Sequence, residues 1–154
     1  MLMRKLAVIT VLTMVLALIS LTVLAQEDID AHRSCDNCGM DRKAYGYSRM
    51  LVQYEDGNVK GTCSLHCAAV ALDANPGQKV KTLLVADRDT RILIDAEQAV
   101  WVMGGEKRGV MTQQPTWAFR TREGAESFMK ANGGKIVSWA EALAAAKKEL
   151  AGKN

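Results

Sequence analysis

The chain has 154 residues, with 20 Lys and Arg against 17 Asp and Glu, two His and four Cys. That length suits one compact domain with its own core and excludes two large ones. No basic block or aromatic-interleaved basic stretch is present, which argues against nucleic acid as a partner.

Arg4 and Lys5 precede an uncharged, mostly apolar run from Leu6 to Leu24, and Val23-Leu24-Ala25 offers small residues where a signal peptidase reads. This predicts a signal peptide over residues 1–25, cleaved after Ala25. The run is 19 residues, just long enough to span a bilayer, so an uncleaved anchor is the alternative. Either way the expected location of residues 26–154 is the periplasm or another extracytoplasmic space. The membrane is touched only through the N-terminal segment, if that segment is retained. Without Arg4 and Lys5 there are 18 basic and 17 acidic residues, close to balance.

After a polar stretch and a first cysteine pair, the pattern predicts a strand from Tyr47 to Tyr54 and a second from Val59 to Cys63. Glu55-Asp56-Gly57-Asn58 forms the turn between them. Pairing Tyr54 with Val59 would place Met50, Val52, Tyr54, Val59, Gly61 and Cys63 on one apolar face. Ser64 is the expected N-cap of a helix from Leu65 to about Ala74, closed by Asn75-Pro76-Gly77. Strands follow at Val80–Val85, Arg91–Ile94 and Ala99–Met103, then a long polar loop from Gly104 to Gln114. Trp117–Arg120 reads as a strand, Thr121 as the cap of a helix through Ala131 ended by Gly133-Gly134, and Lys135–Val137 as a last strand. Ser138 and Glu141 make a capping box for an Ala-rich C-terminal helix through Leu150.

A shift of 57 residues superimposes Ser64 on Thr121, Ala68 on Ala125, Ala74 on Ala131, Asn75 on Asn132, Gly77 on Gly134 and Val80 on Val137. The expected fold is therefore α+β, two related ββαβ-like units with a C-terminal helix, the halves covering about 33–94 and 95–143. The second copy has Arg120 and Gly124 where the first has Cys63 and Cys67.

The chemistry is concentrated in the cysteines. Cys35-x2-Cys38 and Cys63-x3-Cys67 are two chelating half-sites 24 residues apart, and the hairpin brings them together. Cys67 falls in a first helical turn, where the dipole favours a thiolate. A structural site for Zn2+ and a carrier site for Cu(I) both suit soft thiolates. Met40, two residues past Cys38, and Met111, in the polar loop, add candidate thioether donors, which Cu(I) accepts more readily than zinc. His66 is a candidate nitrogen donor beside Cys67, and His32 a weaker one. Exported cysteines also allow a thiol–disulfide protein, although bridges closing so few residues constrain little of the unfolded chain. No nucleophile–base–orienter set is apparent, so an enzyme is not expected. The three tryptophans, Met50, Met103 and Met129 are assigned to the core.

Cys35-Asp-Asn-Cys38-Gly39-Met40 followed by Cys63-Ser-Leu-His-Cys67 resembles the metal-trafficking TRASH-type knuckle. Ile94-Asp-Ala-Glu97, Met111, Phe119, Ala125, Phe128 and Gly133-Gly134-Lys-Ile-Val137 extend the likeness over roughly residues 33–143, and the whole resembles the NosL family of nitrous oxide reductase accessory proteins. That resemblance implies an exported Cu(I) chaperone, not an enzyme. It implies delivery to a copper-receiving reductase such as nitrous oxide reductase, with a membrane transporter as a possible copper source. By motif match it carries over Cys35, Cys38, Met40 and Met111 for copper. A more distant likeness is to the fold of organomercurial lyase, without its activity. Two departures are visible. Gln26 follows Ala25, where family members typically carry a lipid-accepting cysteine. The pair Cys63 and Cys67 also makes a fuller four-thiol site than transfer requires.

Overall fold

A computed structural model describes residues 28–152 of the chain. The expected signal peptide or anchor over 1–25 lies outside the described residues. Among the described residues no helix is long and apolar enough to cross a membrane.

The elements are β1 (Met50–Tyr54), β2 (Val59–Thr62), α1 (Leu65–Ala74), β3 (Val80–Ala86), β4 (Leu93–Asp95), β5 (Val100–Met103), β6 (Thr116–Phe119), α2 (Arg122–Asn132), β7 (Lys135–Val137) and α3 (Trp139–Ala151). The fold is α+β, with two antiparallel sheets ordered β2-β1-β3-β4 and β6-β5-β7. Each half runs ββαβ and places its first strand in the middle, so the two units share one topology. The 57-residue shift lays β2 exactly over the limits of β6.

One core joins the halves. Met50, Val52, Tyr54, Leu65, Leu83 and Val85 from the first unit pack with Trp101, Met103 and Ala118 from the second, and Ala142 and Ala146 of α3 close it. Each large apolar side chain buried here contributes about 1.5–3 kcal/mol. A second cluster lies on the other face of the β5–β6 pair, where Val102, Trp117 and Phe119 meet Ala125 and Phe128 of α2. The second sheet is therefore covered on both faces. Tyr47 stacks on Trp117 with ring centroids 6.0 Å apart, and the Arg120 N–H donates to the buried Asp87 carboxylate at 3.1 Å, tying the units together again.

The helix ends follow local chemistry. Thr121 accepts from Gly124 N–H, and Ser138 and Glu141 form the complete capping box. Ser64 does occupy the N-cap of α1, but its side chain makes no capping hydrogen bond.

The first hairpin departs from expectation by one residue. Met50 pairs with Thr62, Leu51 with Gly61, Val52 with Lys60 and Gln53 with Val59, and the first strand begins at Met50 rather than Tyr47. Two causes are visible. The loop uses three residues, with Gly57 at φ 86°, and the Tyr54 N–H donates to Asn58 O at 2.9 Å. A three-residue loop closed by a left-handed residue is a standard hairpin connection. The second cause is that the supposedly wet face is covered. Arg42 runs beneath the hairpin and donates to Thr62 O at 3.1 Å and to Met50 O at 3.0 Å. A Cβ on Gly61 would lie 2.9 Å from that guanidinium carbon and 2.5 Å from His32 Cβ. Glycine is what lets the arginine pass.

Candidate metal centre

The first half-site is a tight backbone knuckle. Ser34 bridges Asp41, the Cys35 N–H donates to Met40 O at 2.8 Å, and the Gly39 N–H donates to Cys35 O at 2.8 Å. The knuckle is pinned to β2 from both sides. The Asp36 N–H donates to Gly61 O at 2.8 Å, and the Gly61 N–H donates to the Asp36 carboxylate at 2.6 Å. The second half-site follows from chain direction, since Cys63 leaves β2 and Cys67 sits in the first turn of α1.

All four cysteines are free thiols, and their sulfurs lie within 4.8 Å of one another. Cys38 and Cys63 are 3.6 Å apart, Cys63 and Cys67 3.7 Å. Cys35 is 3% exposed and Cys63 and Cys67 are fully buried, while Cys38 is only partly covered. One cysteine of the four is therefore partly reached by solvent.

The thiols differ electrostatically. Cys67 accepts from the Cys63 S–H and from the Asn37 side-chain amide at 3.3 Å, and these donors hold its pKa well below the usual thiol range. Cys63 is pushed up, chiefly because its proton is engaged on Cys67, and next by burial. Burial pushes the Cys38 thiol up to about 11. The metal-free pocket thus holds one favoured thiolate at the helix N-terminus.

The other expected donors are placed variously. Met40 is partly buried and packs against the thiols, as do Tyr45 and Tyr47. His66 is buried but points elsewhere: its Nδ1 has no hydrogen-bond partner and lies 3.7 Å from a Glu149 carboxylate oxygen. Neither His66 nor His32 belongs to the group of donor atoms that converges. His32 Nδ1 sits 3.6 Å from the Asp36 carboxylate instead. Met111 is 41% exposed with φ 59°, and it is the preceding Val110 that shares a buried cluster with Cys35, Cys63 and Cys67. Val110 was not foreseen. Its only signal is an aliphatic side chain in a loop otherwise polar apart from Met111.

The family profile for NosL matches residues 26–146. The chain belongs to the NosL family. Among solved structures, this NosL-family chain is similar to the copper chaperone NosL from Shewanella denitrificans, at 24% identity and a TM-score of 0.58, covering 73% of this chain and 91% of that one. At that identity the likeness shows a shared fold. No curated protein matches the chain.

Proposed function

We propose that this NosL-family protein is an exported Cu(I) carrier that takes copper into the Cys35–Cys38–Cys63–Cys67 cluster and hands it to a copper-receiving enzyme such as nitrous oxide reductase. The observation that carries the reading is the asymmetry of the cluster: four free thiols converge, three are buried, and Cys38 alone is partly open. Transfer needs ligands that can be exchanged one at a time, and a partly exposed cysteine is where an incoming ligand begins. The protein acts as a carrier and performs no chemical conversion.

Support for copper comes from the family and from Met40, a thioether residue packed against the cysteine cluster and a donor type zinc rarely takes. Export rests on the basic start and apolar run of residues 1–25, and the source of copper is proposed to be a membrane transporter. A second reading has one specific observation in its favour. Zn–S bonds of about 2.3 Å in a tetrahedron place sulfurs about 3.8 Å apart, and the two short S···S distances here are 3.6 and 3.7 Å. A resident four-thiolate zinc would stabilise the fold and would not be passed on.

Competition separates the two. Anaerobically reduced protein is titrated with Cu(I) against a chromogenic chelator, with and without prior loading with zinc. The carrier reading expects one tightly bound Cu(I) per chain, displacement of zinc, and release of copper to a chelating acceptor. Retention of zinc under Cu(I) challenge would establish the structural site instead.

A further inference from the structure

Glu149 lies in the last turn of α3, where the helix dipole disfavours an anion. Its carboxylate is nevertheless drawn inward by three partners. The Thr112 hydroxyl stands 2.8 and 2.9 Å from its two oxygens, the Gln114 N–H donates at 2.7 Å, and the Gln113 N–H at 3.4 Å. The same carboxylate faces the buried, unpartnered Nδ1 of His66, next to Cys67 on α1. One side chain of the C-terminal helix therefore meets both the loop between β5 and β6 and the helix that carries Cys67.

The loop transmits that hold. Thr112 lies tightly against Gly109, where a Cβ would come within 2.6 Å of the threonine methyl and 2.9 Å of Pro115 Cα. Val110 follows directly and is buried in one apolar cluster with Cys35, Cys63 and Cys67. Met111 is kept in a left-handed conformation that is unfavourable for a non-glycine residue, so the loop is fixed against its local preference.

From this chain of contacts we infer that Glu149 is a positioning residue of the metal centre: it anchors the 109–114 loop so that Val110 covers the buried thiols, and thereby sets how fast Cys35, Cys63 and Cys67 can be reached. The inference deepens the carrier reading but does not depend on which metal is bound. Its test therefore uses no metal.

Reduced, metal-free protein is pulsed with a small alkylating reagent, and labelling is mapped to each cysteine by mass spectrometry. E149A should label Cys35, Cys63 and Cys67 roughly tenfold faster, the scale set by losing a charge-assisted hydrogen bond to the loop, while Cys38 labels as before. E149Q keeps an acceptor for Thr112 or Gln114 and should stay closer to the unaltered protein than to E149A. S138A, which weakens the cap of the same helix, controls for general loosening of α3. T112V removes the hydroxyl at constant shape but leaves the Gln113 and Gln114 N–H bonds to Glu149, so it should accelerate labelling by less than E149A, and it serves if E149A does not fold. Unchanged labelling in T112V, or equal acceleration by S138A, overturns the inference. Neither result bears on copper affinity, which is read separately in the competition above.

Discussion

Arg49 grips Asp28 with two parallel hydrogen bonds, Nε to Oδ2 at 2.9 Å and Nη2 to Oδ1 at 2.8 Å, with both side chains buried. Arg42 shares the same carboxylate at 2.9 Å and spends its remaining N–H groups on the carbonyls of Asp28, His32, Met50 and Thr62. The start of the described chain is thus fastened under the hairpin that supports the cysteines.

Asp28→Ala should destabilise the protein by about 3–5 kcal/mol, because it strands buried guanidinium groups without their carboxylate. Denaturant unfolding of the metal-free protein measures this. A loss below about 1 kcal/mol would mean that water or other groups replace the carboxylate freely.

Gly61→Ala should disturb the metal centre although residue 61 donates nothing to it. The added Cβ meets Arg42 and His32, and either β2 or the residues that cover it must shift. Overpacking of this kind costs about 1–3 kcal/mol. Because Gly61 also holds Asp36 of the knuckle through two hydrogen bonds, metal affinity should fall along with stability. Lowered stability at unchanged affinity would uncouple the knuckle from the hairpin.

The lowered pKa of Cys67, to about 5, arises first from the Cys63 S–H and then from Asn37, burial working against both. A thiol depressed in the folded state stabilises it fully above the unfolded thiol value of roughly 8.5 and loses that contribution as pH falls through about 5. Metal-free protein should therefore gain stability between about pH 5 and about pH 8.5. The raised thiols, Cys38 and Cys63, oppose this only at more alkaline pH. Thiolate ultraviolet absorbance should report one thiolate near neutrality, absent in Cys67→Ser and titrating higher in Asn37→Ala. A flat absorbance profile across this range would contradict the assignment.

Donor substitutions should rank in a definite order. Cys35→Ser and Cys38→Ser should each abolish tight Cu(I) binding, since serine supplies no soft anionic ligand. Met40→Leu, near in volume, should weaken retention of copper if the thioether joins the thiols. Met111→Leu should do so only if the loop rearranges on loading, because Met111 is largely exposed in this structure. His66→Asn should change affinity less than either cysteine. Tight binding surviving in both cysteine variants would remove the centre from the cluster.

Much of this architecture was legible in the residues. Element order, the capping box at Ser138 and Glu141, the repeated ββαβ pattern and the convergence of Cys35, Cys38, Cys63 and Cys67 follow from periodicity and spacing. The hairpin register did not. Alternation along Met50–Tyr54 and Val59–Thr62 presumes one wet face, and nothing local in the sequence announces that Arg42 is buried there. The neighbourhood of His66 was hidden for a similar reason. Its neighbour Glu149 is distant in sequence, in the Ala-rich C-terminal helix. Val110 escaped because covering a site from a loop requires a tertiary contact, and no periodicity encodes one.

The two hairpins of the repeated unit differ in one respect with consequences for how such a protein can diverge. In the first, β1 and β2 are joined by a minimal turn; in the second, the corresponding connection is drawn out over residues 104–115 and reaches back across the thiols of its twin. On the carrier reading proposed above, capture and admission reside in separate copies of one motif. On that reading, substitutions in the long connection would alter how the four sulfurs are reached while leaving the strands that present them untouched.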